Sequence, residues 1–335
     1  MTLEQALQLH RNGQLEAAEQ GYRTCLEETP DSAATHHLLG VLLLQRGDPA
    51  AAEESIRSAI ALASDEAQFH LSLGGVLMQR GDDDGARASF ETALTLDPNS
   101  AEAHAVLGHL AMRDGDAADA EQRFRIGRRA DEDDPLMLLG LGNVYLSRND
   151  ATGAVKYLSR AAELRPNDAV IQATLGQALF AQGTYGFAER ALRNALELRP
   201  ELSMARLFLA RALLRQERID EARDQFAALA DSGRQPFGAN MGLGDVAQKR
   251  GHFARAIKFY RRALAVDPAH GGAALACAAC LERIGDLEDA VACLNNTLAS
   301  MPQVEELRAP LLAQRDVLER AQGAERDMLA ARAAS

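Results

Sequence analysis

The sequence predicts an all-α chain of tandem helical hairpins, and three observations predict it. First, within the 335 residues the chain repeats every 34 positions up to about Val304 without an insertion: units start at Ala33, Ala67, Ala101, Pro135, Ala169, Ser203, Phe237 and Gly271, with one incomplete unit ahead of them. Second, the twentieth place of each unit is alanine, an unbroken column of Ala18, Ala52, Ala86, Ala120, Ala154, Ala188, Ala222, Ala256 and Ala290. Four places on, a large side chain recurs as Tyr22, Ile56, Phe90, Phe124, Leu158, Leu192, Phe226, Tyr260 and Leu294. The small residue lets another helix approach and the large one fills the space beyond it. Third, strand signals are missing: aromatic content is 4% and tryptophan is absent, which suits a core of alanine and leucine.

The stretch from Ala67 to Ser100 serves as the pattern for the rest. His70, Leu73, Val76 and Leu77 fall three or four apart and share one helical face. Gly81 ends that helix, Asp82 is placed to cap the next on free backbone amides, and Ala86, Phe90, Ala93 and Leu94 form the answering stripe before Pro98 stops the pair. Two helices of about 13 residues bury only one seam, too little to offset the entropy of ordering them, so each hairpin needs neighbours.

Glycine at the eighth place (Gly40, Gly74, Gly108, Gly142, Gly176, Gly244), the alanine and bulky columns, and unit-ending prolines (Pro30, Pro98, Pro166, Pro200, Pro268, Pro302) together closely resemble the tetratricopeptide repeat, over Met1 to about Val304. That resemblance implies a right-handed α-α superhelix of antiparallel helix pairs whose first helices line a concave groove for peptide segments of other proteins. The units are then residues 1–32, 33–66, 67–100, 101–134, 135–168, 169–202, 203–236, 237–270 and 271–304, followed by a helical cap and polar tail over 305–335. Ala6, Ala210 and Ala278 replace the eighth-place glycine, and Ser64, Glu132 and Arg234 replace the closing proline. The first, seventh and ninth units are therefore expected to pack less regularly.

In chain order, Thr2 caps a helix that begins almost at once. The fourth unit closes in ADEDDP, residues 130–135, read as a charged turn or a docking spot for a basic partner. Asn149 replaces the turn glycine in the fifth unit, a residue that tolerates left-handed geometry. The seventh unit lacks both glycines and runs into DSGRQPFG, residues 231–238, read as a bend or hinge, or an ordinary loop. The stretch EELRAPLLAQRDVLERAQ in the tail suits the end helix a solenoid requires, apolar inside and polar outside.

A net charge of −12 opposes binding to nucleic acid, which needs clustered Lys and Arg. The amino terminus carries Glu4 and no long apolar run, so it does not read as a secretory leader, and no stretch is apolar enough to span a membrane; a cytoplasmic location is expected by default. Cys277 and Cys280 form a C-x-x-C, with Cys293 nearby and Cys25 remote. They sit in a helical pattern at places other units fill with Ala or Leu, so they read as packing residues, with zinc or thiol chemistry at Cys277, Cys280 and Cys293 as the alternative. His36, His70 and His104 recur at one place in successive units, about 8 to 10 Å apart, too far for a shared metal and suited to partly buried packing. No catalytic, metal or cofactor site is expected, since no phosphate loop, nucleophile elbow or cleft carboxylate pair is present.

Places two, five, nine and twelve of each first helix form a second stripe, which in the family faces the groove. The twelfth place reads His10, Leu44, Met78, Met112, Leu146, Phe180, Leu214, Gln248 and Glu282. Met78, Met112, Leu146, Phe180 and Leu214 form an apolar ladder for a partner segment, or pack against the next unit's first helix. At the ninth place stand His109, Asn143, Gln177 and Arg211; Asn143 and Gln177 can bond a peptide backbone, while Arg211 with Arg215 can hold a carboxylate. Neither the family's carboxylate clamp for chaperone tails nor its asparagine ladder before glycosyltransferases carries over to these columns. The chain therefore reads as a non-catalytic adaptor for a protein or peptide segment, self-association included. A second reading makes it the recognition arm of a glycosyltransferase- or sulfotransferase-type system, as in bacterial chains resembling this opening, with the catalytic part a separate protein or beyond Ser335.

Overall fold

The computed structural model describes residues 1–129 and 131–334, so Ala130 of the acidic stretch lies outside the described residues. Among the described residues all regular structure is helical. The chain divides into two compact units, Met1–Leu164 and Arg165–Ser335.

In the first unit, α1 (Leu3–Arg11) pairs with α2 (Leu15–Glu28), α3 (Ala33–Gln45) with α4 (Pro49–Leu62), and α5 (Ala67–Arg80) with α6 (Asp83–Leu96). Then α7 (Ala101–Arg113) pairs with α8 (Ala117–Gly127), and α9 (Pro135–Ser147) with α10 (Ala151–Leu164). The second unit continues with α11 (Ala169–Ala181) on α12 (Tyr185–Leu198), α13 (Ser203–Arg215) on α14 (Ile219–Asp231), and α15 (Pro236–Lys249) on α16 (Phe253–Val266). Last come α17 (Gly271–Arg283) on α18 (Leu287–Ser300), and α19 (Glu305–Ala334). Within each unit the second helix of a hairpin also packs on the first helix of the next, and α19 covers α17 and α18. Leu311 and Leu318, two turns apart on α19, are its buried contacts, so the capping helix is apolar only on its inner stripe.

Steric fit explains the columns. Every alanine of the twentieth-place column is fully buried, as are nearly all the bulky residues that follow. A Cβ built on Gly74 would stand 2.7 Å from the Phe90 ring, and one on Gly142 would stand 2.4 Å from Leu158. The bulky residue reaches the next hairpin too: Phe124 crowds Gly108 of its own hairpin and Gly140 of the following one, where an added Cβ would lie 2.5 Å from the ring. Where alanine replaces the eighth-place glycine, Ala6 in α1, Ala210 in α13 and Ala278 in α17 are fully buried at the same place.

The ends of the helices follow local chemistry. Thr2 makes a capping box with Gln5, and Asp82 accepts from the Gly85 amide at 2.9 Å. Gly81 and Asn149 both adopt the left-handed conformation, with φ of 78° and 59°. In 231–238 the turn is tight: Gly233 and Gln235 have positive φ, Arg234 donates to the Glu201 carbonyl at 2.8 Å, and α15 begins at Pro236, one residue ahead of the 34-residue ruler, since proline suits the first turn.

Two sets of polar contacts join successive hairpins. His36, His70 and His104 each bond a carbonyl six residues back, those of Pro30, Ser64 and Pro98, at 2.9 to 3.0 Å. Gln172 and Arg206 do the same for Pro166 and Pro200 in the second unit. The histidines are thus latches on the loop between hairpins as well as packing groups. Pairs 27 residues apart form the other set: Glu19–Arg46, Glu53–Arg80, the charge-reversed Arg87–Asp114, and Glu121–Arg148. The acidic stretch is also used internally, with Asp133 accepting from Arg160 at 2.9 Å and Asp134 capping α9, which leaves it poorly suited to dock a basic partner.

Two outcomes follow from this packing. Gly74→Ala should lower stability by about 1–3 kcal/mol by forcing the Phe90 ring aside, whereas Gly75→Ala, with open space at its Cβ, should raise it by roughly 0.5–1 kcal/mol through helix propensity; urea unfolding of both variants checks the contrast. Arg87→Glu should cost about 0.5–1 kcal/mol by facing Asp114 with a like charge, and adding Asp114→Arg should restore the loss, measured as a double-mutant cycle.

Candidate functional site

In Met1–Leu164 the predicted groove residues stay partly open to solvent. Met78 on α5 is 39% exposed, Met112 on α7 and Leu146 and Asn143 on α9 are half-buried, and His109 is exposed with its ring edge-on to Phe124 at 5.1 Å. In Arg165–Ser335, Gln177 and Phe180 lie half-buried on α11, while α13 carries a half-buried Arg211, a buried Leu214 and an exposed Arg215.

Phe180, Arg211, Leu214 and Arg215 come together around a pocket of about 530 Å³, and Glu217, Asp245, Gln248 and Lys249 complete its wall. The pocket exists because residues at the ninth and twelfth places of consecutive first helices face the same side. Its floor is apolar: the Phe180 ring packs against Phe208 of the next first helix at 5.6 Å and against Tyr185 at 5.5 Å. Packing against the next unit and exposure to the pocket therefore occur in one side chain. The Arg211 guanidinium lies over the Phe208 ring at 5.7 Å, within cation–π range.

Three cationic and two anionic side chains surround this floor. Lys249 is paired with Glu217 at 2.7 Å, and neither Arg211 nor Arg215 forms an ion pair within 4 Å among the described residues. Burial pulls Arg211 below its ordinary value, with Asp245 acting against the shift. Burial likewise pushes the Asp245 carboxyl up, opposed by a hydrogen bond from Tyr260 at 2.8 Å and by the charge of Arg211. The Tyr260 hydroxyl is also 2.7 Å from the Gln248 amide. One hydroxyl has one hydrogen, so Tyr260 donates to the Asp245 carboxylate or to the Gln248 Oε1, not to both at once.

Glu217, Asp245, Gln248 and Lys249 are absent from the set chosen from sequence. Asp245 and Gln248 did stand in the ninth- and twelfth-place columns. Glu217 stands at the turn place that glycine fills in most units, and it is held at φ 59°, a conformation a glutamate adopts only when its surroundings impose it.

Cys277 and Cys280 of the C-x-x-C are both buried on α17, and Cys293 is half-buried on α18. Among the described residues no three His, Cys, Asp or Glu side chains stand close enough to hold a metal ion, and no helix is long and apolar enough to cross a membrane.

The hairpin register agrees with comparison to known families. A family profile described as the cilia and flagella-associated protein 70 C-terminal domain matches residues 2–188, and tetratricopeptide repeat profiles match residues 174–239 and 247–314. The chain belongs to the tetratricopeptide repeat family. Solved repeat structures resemble it: pilF of Pseudomonas aeruginosa is 20% identical over 59% of this chain and 90% of its own, with a TM-score of 0.54. A tetratricopeptide repeat protein from Parabacteroides merdae is 17% identical over 73% of this chain and 96% of its own, also at 0.54. The APC/C hetero-tetramer Cut9–Hcn1 gives 18% identity over 80% of this chain and 52% of its own, at 0.62. At such identities the likeness is one of fold. No curated protein matches.

The repeat pocket has a pH signature. Asp245 has its folded-state value raised, so its contribution to stability is present below the ordinary carboxylate range and is lost as pH rises through the raised value. Asp245→Asn should therefore gain on the native chain as pH rises from about 4 to 8, with the two unfolding curves converging near pH 3; urea midpoints across that range decide it.

Proposed function

We propose that the chain is a non-catalytic scaffold that holds a segment of a partner protein along the inner stripe of its first helices, with the pocket over Phe180 and Leu214 as an anchor for an apolar side chain beside a carboxylate. The observation that carries this is the pairing of an apolar floor with Arg211 and Arg215, two guanidinium groups without an ion-pair partner among the described residues. An aliphatic side chain enclosed on that floor contributes about 1.5–3 kcal/mol, and a guanidinium adds a directional, charge-assisted contact. Met78, Met112 and Leu146 offer a second apolar strip, and methionine adapts to varied partners. His109, Asn143 and Gln177 set register rather than affinity.

Net charge supports a protein partner over nucleic acid, since a chain at −12 repels phosphate backbones. Four unpaired thiols fit a reducing compartment such as the cytoplasm.

Binding should be measured by fluorescence anisotropy with a peptide library that varies the spacing between one apolar and one acidic residue. Arg211→Gln with Arg215→Gln should weaken the best peptide tenfold or more, about 1.4 kcal/mol, and Phe180→Asp should remove binding, while helix content stays unchanged by circular dichroism. Leu146→Asp separates the apolar strip from the pocket. Affinity that survives all of these variants would rule the groove out as the binding surface.

A further inference from the structure

The helix α16 is basic in an acidic chain. Its sequence, FARAIKFYRRALAV, carries Arg255, Lys258, Arg261 and Arg262 and no acidic residue, where the chain as a whole has a net charge of −12. Other second helices neutralise such cations internally: Glu19 bonds Arg23, Glu53 bonds Arg57 and Glu189 bonds Arg193, each pair one turn apart at 2.8 to 2.9 Å. In α16 the place of that glutamate is taken by the buried Ile257, and Arg261 pairs instead with Asp289 of α18 at 2.5 Å. Arg255, Lys258 and Arg262 are exposed and form no ion pair within 4 Å among the described residues.

These three cations share one stripe. Steps of three and four link Arg255, Lys258, Phe259 and Arg262, so they lie on one side of the helix. Phe259 is half-buried, and the guanidinium groups of Arg255 and Arg262 each stand 5.8 Å from its ring centroid, within cation–π range. Hollows flank the ridge. On one side a crevice runs between Phe259 and Leu243 and Val246 of α15. On the other a cavity of about 390 Å³ opens between α16 and α18, with Leu264, Ala265 and Ala292 as apolar wall and Asn296 and Ser300 as polar wall. It shares no lining residue with the pocket over Phe180.

We propose that the outer stripe of α16 is a second docking surface, for a short acidic segment of a partner protein that lays its carboxylates along Arg255, Lys258 and Arg262 and places one apolar side chain in the cavity beside Leu264. This stands apart from the groove reading and needs none of its residues. Charge complementarity selects the occupant. Two of the free cations are already held against an aromatic ring, so little further ordering is needed to meet a carboxylate, and each guanidinium presents paired N–H donors at the spacing of carboxylate oxygens. The distribution of charge sets the size of the occupant. Met1–Leu164 holds 14 Lys and Arg against 27 Asp and Glu, whereas Arg165–Ser335 holds 22 against 21. A long polyanion or an anionic membrane meets the field of the whole chain and is repelled, while a short segment within a Debye length of α16, about 8 Å at physiological salt, responds to the local cations.

The test uses the full chain carrying Arg211→Gln and Arg215→Gln, so that the groove pocket does not contribute, and follows the fluorescence anisotropy of a labelled peptide of alternating Glu and Gly with one central Leu. The peptide should bind at low salt and weaken steeply as sodium chloride is added. Arg255→Gln with Arg262→Gln should weaken binding about tenfold. Phe259→Leu, which keeps an apolar group in the packing and removes the ring, should weaken it several-fold, as should Leu→Ser in the peptide. Arg283→Gln with Arg326→Gln removes the same charge away from α16 and should leave affinity within about twofold, and circular dichroism should show unchanged helix content in every variant. No binding of the peptide, equal losses from the two charge-removing pairs, or binding to phosphatidylserine vesicles or duplex DNA in place of the peptide would each overturn the proposal. So would a dimer in light scattering that the Arg255 and Arg262 changes dissolve while the peptide fails to compete, since the stripe would then belong to a second copy. Failure here leaves the groove peptides and their Arg211 and Arg215 dependence untouched, so the two readings fall separately.

Discussion

The structure depends on the bulky side chain at the twenty-fourth place of each repeat having room on both of its flanks. Phe124 shows the constraint in full, since an added Cβ at Gly108 or at Gly140 would fall within 2.8 Å of its ring. One flank belongs to its own hairpin and the other to the next, so the same buried ring closes a hairpin and binds two hairpins together. Where the near flank is filled, as by Ala210 beside Phe226, the far flank is open at Gly242. A hairpin alone would leave half of this ring in water, which is why stability in such chains is a property of neighbours rather than of single units.

Polar contacts at the rim follow the same geometry. Because each hairpin repeats the last, a charge at the twenty-first place of one unit meets the fourteenth place of the next, and Arg87–Asp114 reverses the signs of Glu53–Arg80 while keeping the pairing. Exposed pairs of this kind add little each. Their regular spacing shows that position, not residue identity, defines the contact.

The pocket over Phe180 lies where the repeat departs most from its own pattern. Ala210 and Glu217 replace glycines in the seventh unit, and Arg211 and Arg215 stand beside them on α13. Holding Glu217 in the left-handed region costs about 1–3 kcal/mol, a cost offset in part by its ion pair with Lys249. Residues released from the packing columns are those free to meet a ligand, and here they surround an apolar floor that the columns themselves provide.

By itself the sequence determined the hairpin register, the buried alanine and bulky columns, the caps at Thr2 and Asp82 and the left-handed turn at Asn149, because each is set by contacts within a unit and by spacings of three, four and 34. It also identified Phe180, Leu214, Arg211 and Arg215 as candidates from a single helical stripe. Asp245 and Gln248 belong to the same ninth- and twelfth-place columns, and only the tertiary structure decided that they, with Glu217 and Lys249, close one pocket with Phe180 and Arg211, since that depends on how two hairpins stack. The histidine latches needed loop carbonyls six residues away to be folded back over the helix, a distance that no periodicity encodes.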